Sequence, residues 1–433
     1  MKRAKFTLVL ATVLAMGSCA PQQSNCCESG ELTETNAAPD LKSNYPKLKE
    51  NLSSAMKRNL KYETEYPMEN ELYTTFKYTD LKGHNYNSPN LKGFDYNNGD
   101  GTISRRDPSK VIFENGKYYV WYTYRETKCP PLKGADVTPE IPAVDWDLSE
   151  IWYSTSTDGF TWEEQGVAVK RAPMPEPGSR SVSTADILKF EGKYYLYYQA
   201  FVTPVGKWVE ECHVSVSVAD SPDGPWSRLK DRVVSRGDAG EWDEMLIHDP
   251  FPMVHDGKIY LYYKSGYNHR DAGGLAIADR PEGPFRKCEK NPVLNSGHEV
   301  SLFPFREGVA AIVIKAGNEH NTIQYAPDWV NFEIASFVNI LPNAPAGFIN
   351  DAFTDTKDGR GITWGLCHFL NVGKDRNYSI LSRFDCDLSL DVDDRGMKAQ
   401  TVFIPREVYM DQKLSKAQLE RIKRQNNALT GEK

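Results

Sequence analysis

The stretch His248–Lys264, HDPFPMVHDGKIYLYYK, decides how this chain folds. An Asp-Pro opens an apolar run, Asp256-Gly257 reverses it, and a tyrosine-rich run returns. Asp-Gly between two strand-forming runs marks a tight hairpin, because both central residues of that turn need positive φ. The same unit appears at Asp107–Thr123 (DPSKVIFENGKYYVWYT) and at Asp186–Phe201 (DILKFEGKYYLYYQAF). Each unit reaches a further strand and turn: IWYSTSTDGFTW, VSVSVADSPDGPW and GLAIADRPEGPF. Weaker copies start at His298 (HEVSLFPFREGVAAIVIKAG, then TIQYAPDWVNFEI) and Asp351 (DAFTDTKDGRGITWGLCHF, then YSILSRFDCDL). Repeats of about fifty residues built from short strands predict an all-β, five-bladed β-propeller. Such a fold aims the start of every innermost strand at one axis, so residues far apart in sequence meet in one pocket.

The 433 residues, 40% of them hydrophobic, suffice for a large core. A net charge of −7 argues against nucleic acid, whose binding needs a concentrated basic face. The 23 tyrosines and 9 tryptophans suit strands first, and also suit stacking on sugar rings. Lys2, Arg3 and Lys5 precede an apolar run from Phe6 to Met16, the pattern of an export signal too short to span a bilayer. It ends in MGSC, a loose bacterial lipobox, which predicts a signal peptide over 1–18 and lipidation at Cys19. The expectation is an exported lipoprotein, periplasmic or anchored at the outer membrane, touching the membrane only through its lipid. Residues 19–45 read as a polar tether. Five cysteines beyond it lack metal or redox spacing, and free, mostly buried thiols are expected.

Between residues 46 and 80 the pattern turns helical: Leu48, Leu52, Met56 and Leu60 form one stripe, and MENELYTTF offers a second short helix. The pair cannot bury its stripe alone, so it must rest on the propeller, expected over 81–410, or on another subunit. Residues 411–433 carry a C-terminal helix with Ser415 and Gln418 as a capping box, then a tail. Two insertions, Lys128–Trp146 and Lys170–Arg180, are expected to form the rim of the pocket.

The unit starts deliver Asp107, Asp186, Asp249, the pair His298–Glu299, and Asp351 toward the axis. Asp-Pro alone is ordinary turn chemistry before a strand. Recurrence at one repeat position, beside Arg106 and His248, favours function instead. Converging carboxylates perturb one another, and glycoside hydrolysis needs two titratable groups in different protonation states. Oxygen ligands also suit a cation. HEVSL lacks the second histidine of a zinc protease, and YNNGDGTISRRD has Tyr96 where a calcium loop needs its first ligand.

The strings RRDPSKVIFENGKYYVWYT, WDLSEIWYSTSTDGFTW, RSVSTADILKFEGKYYLYYQ, HDPFPMVHDGKIYLYYK, NSGHEVSLFP and NTIQYAPDWVNFEI, with FKYTDLKGHNY before them, resemble glycoside hydrolase family 117. The resemblance implies a five-bladed propeller that releases 3,6-anhydro-L-galactose from the non-reducing end of α-1,3-linked agar oligosaccharides. It implies a homodimer exchanging the N-terminal helices, and in some members a divalent cation. Carried over, Asp107 is the general base, His298 the general acid, and Asp249 and Glu299 further essential carboxylates. Imidazole suits the acid's role because it changes protonation near neutral pH. Trp146, Thr184 and Gln199 match sugar-contacting positions, and Arg106, Asp186 and His248 are placed with them in the substrate pocket. The chain departs from the family pattern after RSV, where Ser183-Thr184-Ala185-Asp186 stands for a more apolar run ending in Pro-Glu. A pentosidase of the arabinanase or xylosidase type and a non-catalytic sugar-binding lipoprotein are the alternatives.

Overall fold

The computed structural model describes residues 51–61, 72–78, 91–132, 137–204, 212–267, 270–317, 319–338, 341–372 and 378–398. The signal peptide, the tether, Cys19 and the C-terminal helix lie outside them. The described chain is almost wholly β, in antiparallel sheets, three of them built from strands consecutive or nearly so along the chain. One sheet covers 103–169, a second 181–234 and a third 248–287. The strands of 301–337 and 343–389 share one eight-stranded sheet, joined where Phe305 faces Arg360. Its far edge is Lys77–Tyr78, which pairs with Phe384 and Asp385 and so brings the N-terminal side of the chain onto the last strand.

The hairpin signals act as read. Asn115-Gly116, Glu191-Gly192 and Asp256-Gly257 all have positive φ at both positions, which matches the twist of the flanking strands. Apolar faces of neighbouring sheets then share cores. Trp121 and Ile151 of the first sheet pack with Ile187 and Leu196 of the second. Tyr197 and Val214 of the second pack with Leu261 and Tyr263 of the third. Met253 and Leu275 meet Phe303, Ile312 and Phe384, and Val120 and Tyr122 of the first sheet meet Leu366 and Leu381 of the last. First and last sheets therefore share a core, the closed arrangement of a propeller. Each fully buried large side chain adds about 1.5–3 kcal/mol. Among the described residues no disulfide joins two cysteines, and Cys212, Cys367 and Cys386 are buried.

The N-terminal helical reading holds in part. A helix spans Ser54–Lys61, with Ser53 accepting the Met56 amide at 3.2 Å as its N-cap. Met56 is buried and Leu52 packs on the core shared by the second and third sheets. Arg58 pins the helix by ion pairs to Glu319 (2.8 Å) and Glu333 (2.6 Å) and by a bond to the Phe332 carbonyl. The second helix expected in MENELYTTF is corrected over its described residues. Leu72–Phe76 are not helical; Leu72, Thr74 and Phe76 are buried in alternation and lead into the edge strand. Period-two burial against a sheet overrode the helical pattern.

Candidate active site

One geometric rule, repeated around the molecule, builds the site. In each repeat a left-handed residue interrupts the start of the inner strand: Asp107 (φ 49°), Thr184 (46°), Asp249 (46°), Glu299 (54°) and Ala344 (45°). The residue before it pairs with a residue on a neighbouring strand of its sheet: Arg106 with Thr123, Ser183 with Gln199, His248 with Lys264, His298 with Lys315, and Asn343 with His368. The ladder slips just after Ser183, His248 and Asn343, as a bulge does when it re-aims side chains. Positive φ at non-glycine residues is costly and clusters where function holds it.

The positions converge on a cavity of about 280 Å³ lined by Arg106, Asp107, Trp146, Thr184, Gln199, Phe201, Leu246, His248, Asp249, Lys264, Asp271, His298 and Glu299. A smaller chamber behind it, about 40 Å³, is walled by all five left-handed residues. Asp107, Asp249, His298 and Glu299 thus share one cavity, with Arg106, Trp146, Thr184, Gln199 and His248 beside them.

Asp186 is a correction. It lines the smaller chamber and not the main cavity; its carboxylate binds the buried Lys110 ammonium and accepts the Lys110 and Ile187 amides. Lys110 also donates to the Ile187 and Pro252 carbonyls at 2.9 Å, so the pair ties three sheets together. The spacing shows why: Asp249 stands eight residues before Gly257, and Thr184, not Asp186, stands eight before Gly192. Asp351 is likewise displaced. It sits in a turn, accepting the Arg360 amide, and Ala344 takes the repeat position.

Arg106 organises the acids. Its guanidinium contacts Asp107 at 2.9 Å, Asp145 at 2.8 Å and Glu299 at 3.2 Å, and lies over the Trp146 ring at 4.4 Å. Burial works against the Asp107 charge, but Arg106, helped by His368, overcomes it and holds that carboxyl at about 2. Thr123 and Thr184 hydroxyls add bonds to Asp107 Oδ2 at 3.3 and 3.2 Å. Asp249 behaves oppositely. Burial pushes its carboxyl up, and Lys264, 3.8 Å away, offsets this only in part. The Glu299 amide donates to Asp249 Oδ2 at 3.1 Å. Burial, then the Lys264 and His298 charges, hold His248 well below the usual imidazole range, so it is neutral. His298 has 27% of its side chain exposed, and its Nδ1 lies 3.4 Å from Glu299 Oε2.

His368 was missed in sequence. Fully buried, it accepts the Asp107 amide on Nδ1 at 3.0 Å, which places its proton on Nε2, 3.8 Å from Glu299 Oε2. Lys264 was missed as well. Thr123, Gln199 and Lys264 each stand six residues after the lysine that opens the returning strand, and that offset was the available signal. Asp107, Glu299 and His368 place ligand atoms within 4.8 Å of one another, and Asp107 Oδ1 has no hydrogen-bond partner. The two carboxylates suit a divalent cation, and the imidazole joins them only where Nε2 loses its proton and Nδ1 releases the Asp107 amide, a set that no short motif spells because its members belong to three repeats. Of the two insertions only the first reaches the cavity, through Trp146; Arg180, at the end of the second, binds Asp147 and the carbonyls of Thr138 and Ile141 and so braces the segment that ends in Trp146.

A paired, ionised carboxylate and a partly open imidazole in one cavity with an aromatic face suit acid–base cleavage of a sugar linkage. The model for glycosyl hydrolases family 43 matches residues 104–308. No curated protein matches the chain. Among solved structures, BT0996, solved as an RGII complex, is 11% identical, covering 81% of this chain and 98% of that one at a TM-score of 0.51, a likeness of fold alone. A family 117 glycoside hydrolase produced by the marine bacterium Zobellia galactanivorans is 57% identical, covering 80% of this chain and 100% of that one at a TM-score of 0.72. That identity over the whole of a solved relative shows that this chain belongs to glycoside hydrolase family 117.

Proposed function

We propose that this glycoside hydrolase is exo-acting and inverting, and that it releases 3,6-anhydro-L-galactose from the non-reducing end of α-1,3-linked agar oligosaccharides. The observation that carries the reading is the pairing of Asp107, held ionised by Arg106, with His298 in one cavity. Asp107 takes a proton from water as the water oxygen bonds to the anomeric carbon. The glycosidic C–O bond breaks as protonated His298 gives its proton to the leaving oxygen, so one water is consumed. Glu299 Oε2 lies 3.4 Å from His298 Nδ1 as an ion-pair contact rather than a hydrogen bond, and in this reading Nε2 serves the substrate. Trp146, stacked on Arg106, offers a face to the sugar, and Thr184, Gln199 and His248 bind around it. A cavity near 280 Å³ suits a chain end better than a chain lying through. A divalent cation, where bound by Asp107, Glu299 and His368, supplies positive charge near the base. Five left-handed positions on one chamber support a count of five blades. We further propose export and anchoring through Cys19 and dimerisation through the N-terminal helical segment.

Proton NMR of the reaction with neoagarobiose tests the reading: the first anomer formed should be inverted relative to the substrate bond. A retained anomer overturns the mechanism. Cleavage of arabinosyl or xylosyl substrates alone replaces the substrate with that of a pentosidase, a reading favoured by the family 43 match. Oligosaccharide binding without any sugar release leaves only a binding protein.

A further inference from the structure

We propose that Asp271 is a specificity-determining residue that accepts a hydrogen bond from a substrate hydroxyl, on a wall it shares with Lys264. The inference rests on the proposed glycosidase reading and names a residue to which that reading gave no role. Asp271 lies on the third strand of the third sheet, Arg270–Ala278, away from the inner strands that supply the acids. It lines the main cavity, yet its Oδ1 is buried and has no hydrogen-bond partner. A buried carboxylate oxygen without a donor costs free energy, and in a ligand cavity the missing donor is the ligand.

Three carboxylates buried elsewhere have evident structural partners. Asp186 is held by Lys110, Asp147 by Arg180 and Asp243 by Lys287. Asp107 Oδ1, also without a hydrogen bond, belongs to the reacting centre. Among the described residues no ion pair is found for Asp271. The ladder explains its direction: Gly266 faces Asp271 and Lys264 faces Gly273, so Lys264 and Asp271 lie two pairs apart on one face of the sheet. Both line the cavity. An ammonium that donates and a carboxylate that accepts recognise neighbouring oxygens of a sugar ring, the hydroxyl that donates and the oxygen that receives. Gly266 opposite Asp271 carries no side chain to fill the space the hydroxyl needs. A site built to pair a hydroxyl rejects analogues without it far more strongly than an apolar pocket does.

The test uses the full chain, Asp271→Ala and Asp271→Asn, and three substrates: neoagarobiose, an arabinosyl and a xylosyl oligosaccharide, with singly deoxygenated forms of whichever the wild type cleaves. The expected result is a loss of about 10- to 100-fold in kcat/KM for Asp271→Ala, the range for a hydrogen bond to a charged group. One deoxy analogue should cost the wild type a similar factor and cost Asp271→Ala almost nothing more. Asp271→Asn should retain part of the activity. Equal losses on every deoxy analogue, or an unchanged kcat/KM with thermal stability lowered, overturn the proposal and leave the glycosidase reading intact. Cleavage of a pentosyl substrate alone replaces the substrate reading, and the deoxy series on that substrate still decides Asp271. A wild type that cleaves none of the three overturns both.

Discussion

Asp107 and Asp249 begin alike and end as chemical opposites. Each precedes proline, each adopts a left-handed backbone, and each reaches the same cavity. Arg106 touches Asp107 at 2.9 Å and overcomes the effect of burial, whereas Lys264 stands 3.8 Å from Asp249 and does not. The repeat therefore fixes where a carboxyl sits, and its cationic neighbour fixes which way its pKa moves. A base must be ionised and unprotonated before it acts, so the comparison singles out Asp107.

The largest effect that sharpens this contrast is on turnover. Asp107→Asn should lower kcat on the order of a thousandfold, with KM changed little, when sugar release by the folded protein is measured. Asp249→Asn should cost at least about tenfold less, because burial already biases that carboxyl toward its neutral form. Equal losses would break the comparison.

Asp186 provides a control of similar sequence and different role. Asp186→Asn leaves the Lys110 ammonium buried without a counter-charge, and stability in urea should fall by about 3–5 kcal/mol. The folded fraction should keep its kcat/KM within a few-fold. A loss of activity without a loss of stability would return Asp186 to the substrate pocket.

A smaller effect concerns pH. Removing the guanidinium in Arg106→Gln takes away the charge that holds Asp107 near 2, so the acid limb of kcat/KM should move to higher pH. A limb that stays in place would show that Arg106 does not set the ionisation of the base.

The smallest effect is on stability in acid. A carboxyl depressed from 3.8 to about 2 stabilises the fold above the ordinary carboxylate range. That contribution, about 2 kcal/mol, is lost as pH falls from near 4 toward 2. Asp249, shifted upward, works in the other direction: its contribution is present at low pH and lost as pH rises through its raised value. Urea midpoints should thus decline less steeply between about pH 4 and 2 in Asp107→Asn than in the wild type, whereas Asp249→Asn should alter the slope only above about pH 4, where the raised carboxyl titrates.

Much of the architecture and most of the cavity were legible in the chain itself. Turn chemistry at Asn115-Gly116 and Asp256-Gly257 and the tyrosine alternation are local signals, and local backbone physics makes them reliable. Nine of the ten residues expected to act in catalysis or binding line the cavity because a repeat sends equivalent positions to one place. The offset of eight residues before the hairpin glycine points to Thr184 rather than Asp186, and the folded ladder shows the one-residue bulge that makes it so. The sequence could not by itself give His368, which replaces an expected Asp351 by facing the position before Ala344 on a neighbouring strand. The residue types and their order were set by the chain, and so were the strands and the hairpins. Charge state, the triple grip of Arg106 and the orphaned oxygen of Asp271 were decided by tertiary structure, since burial and distance between repeats exist only once the ring has closed.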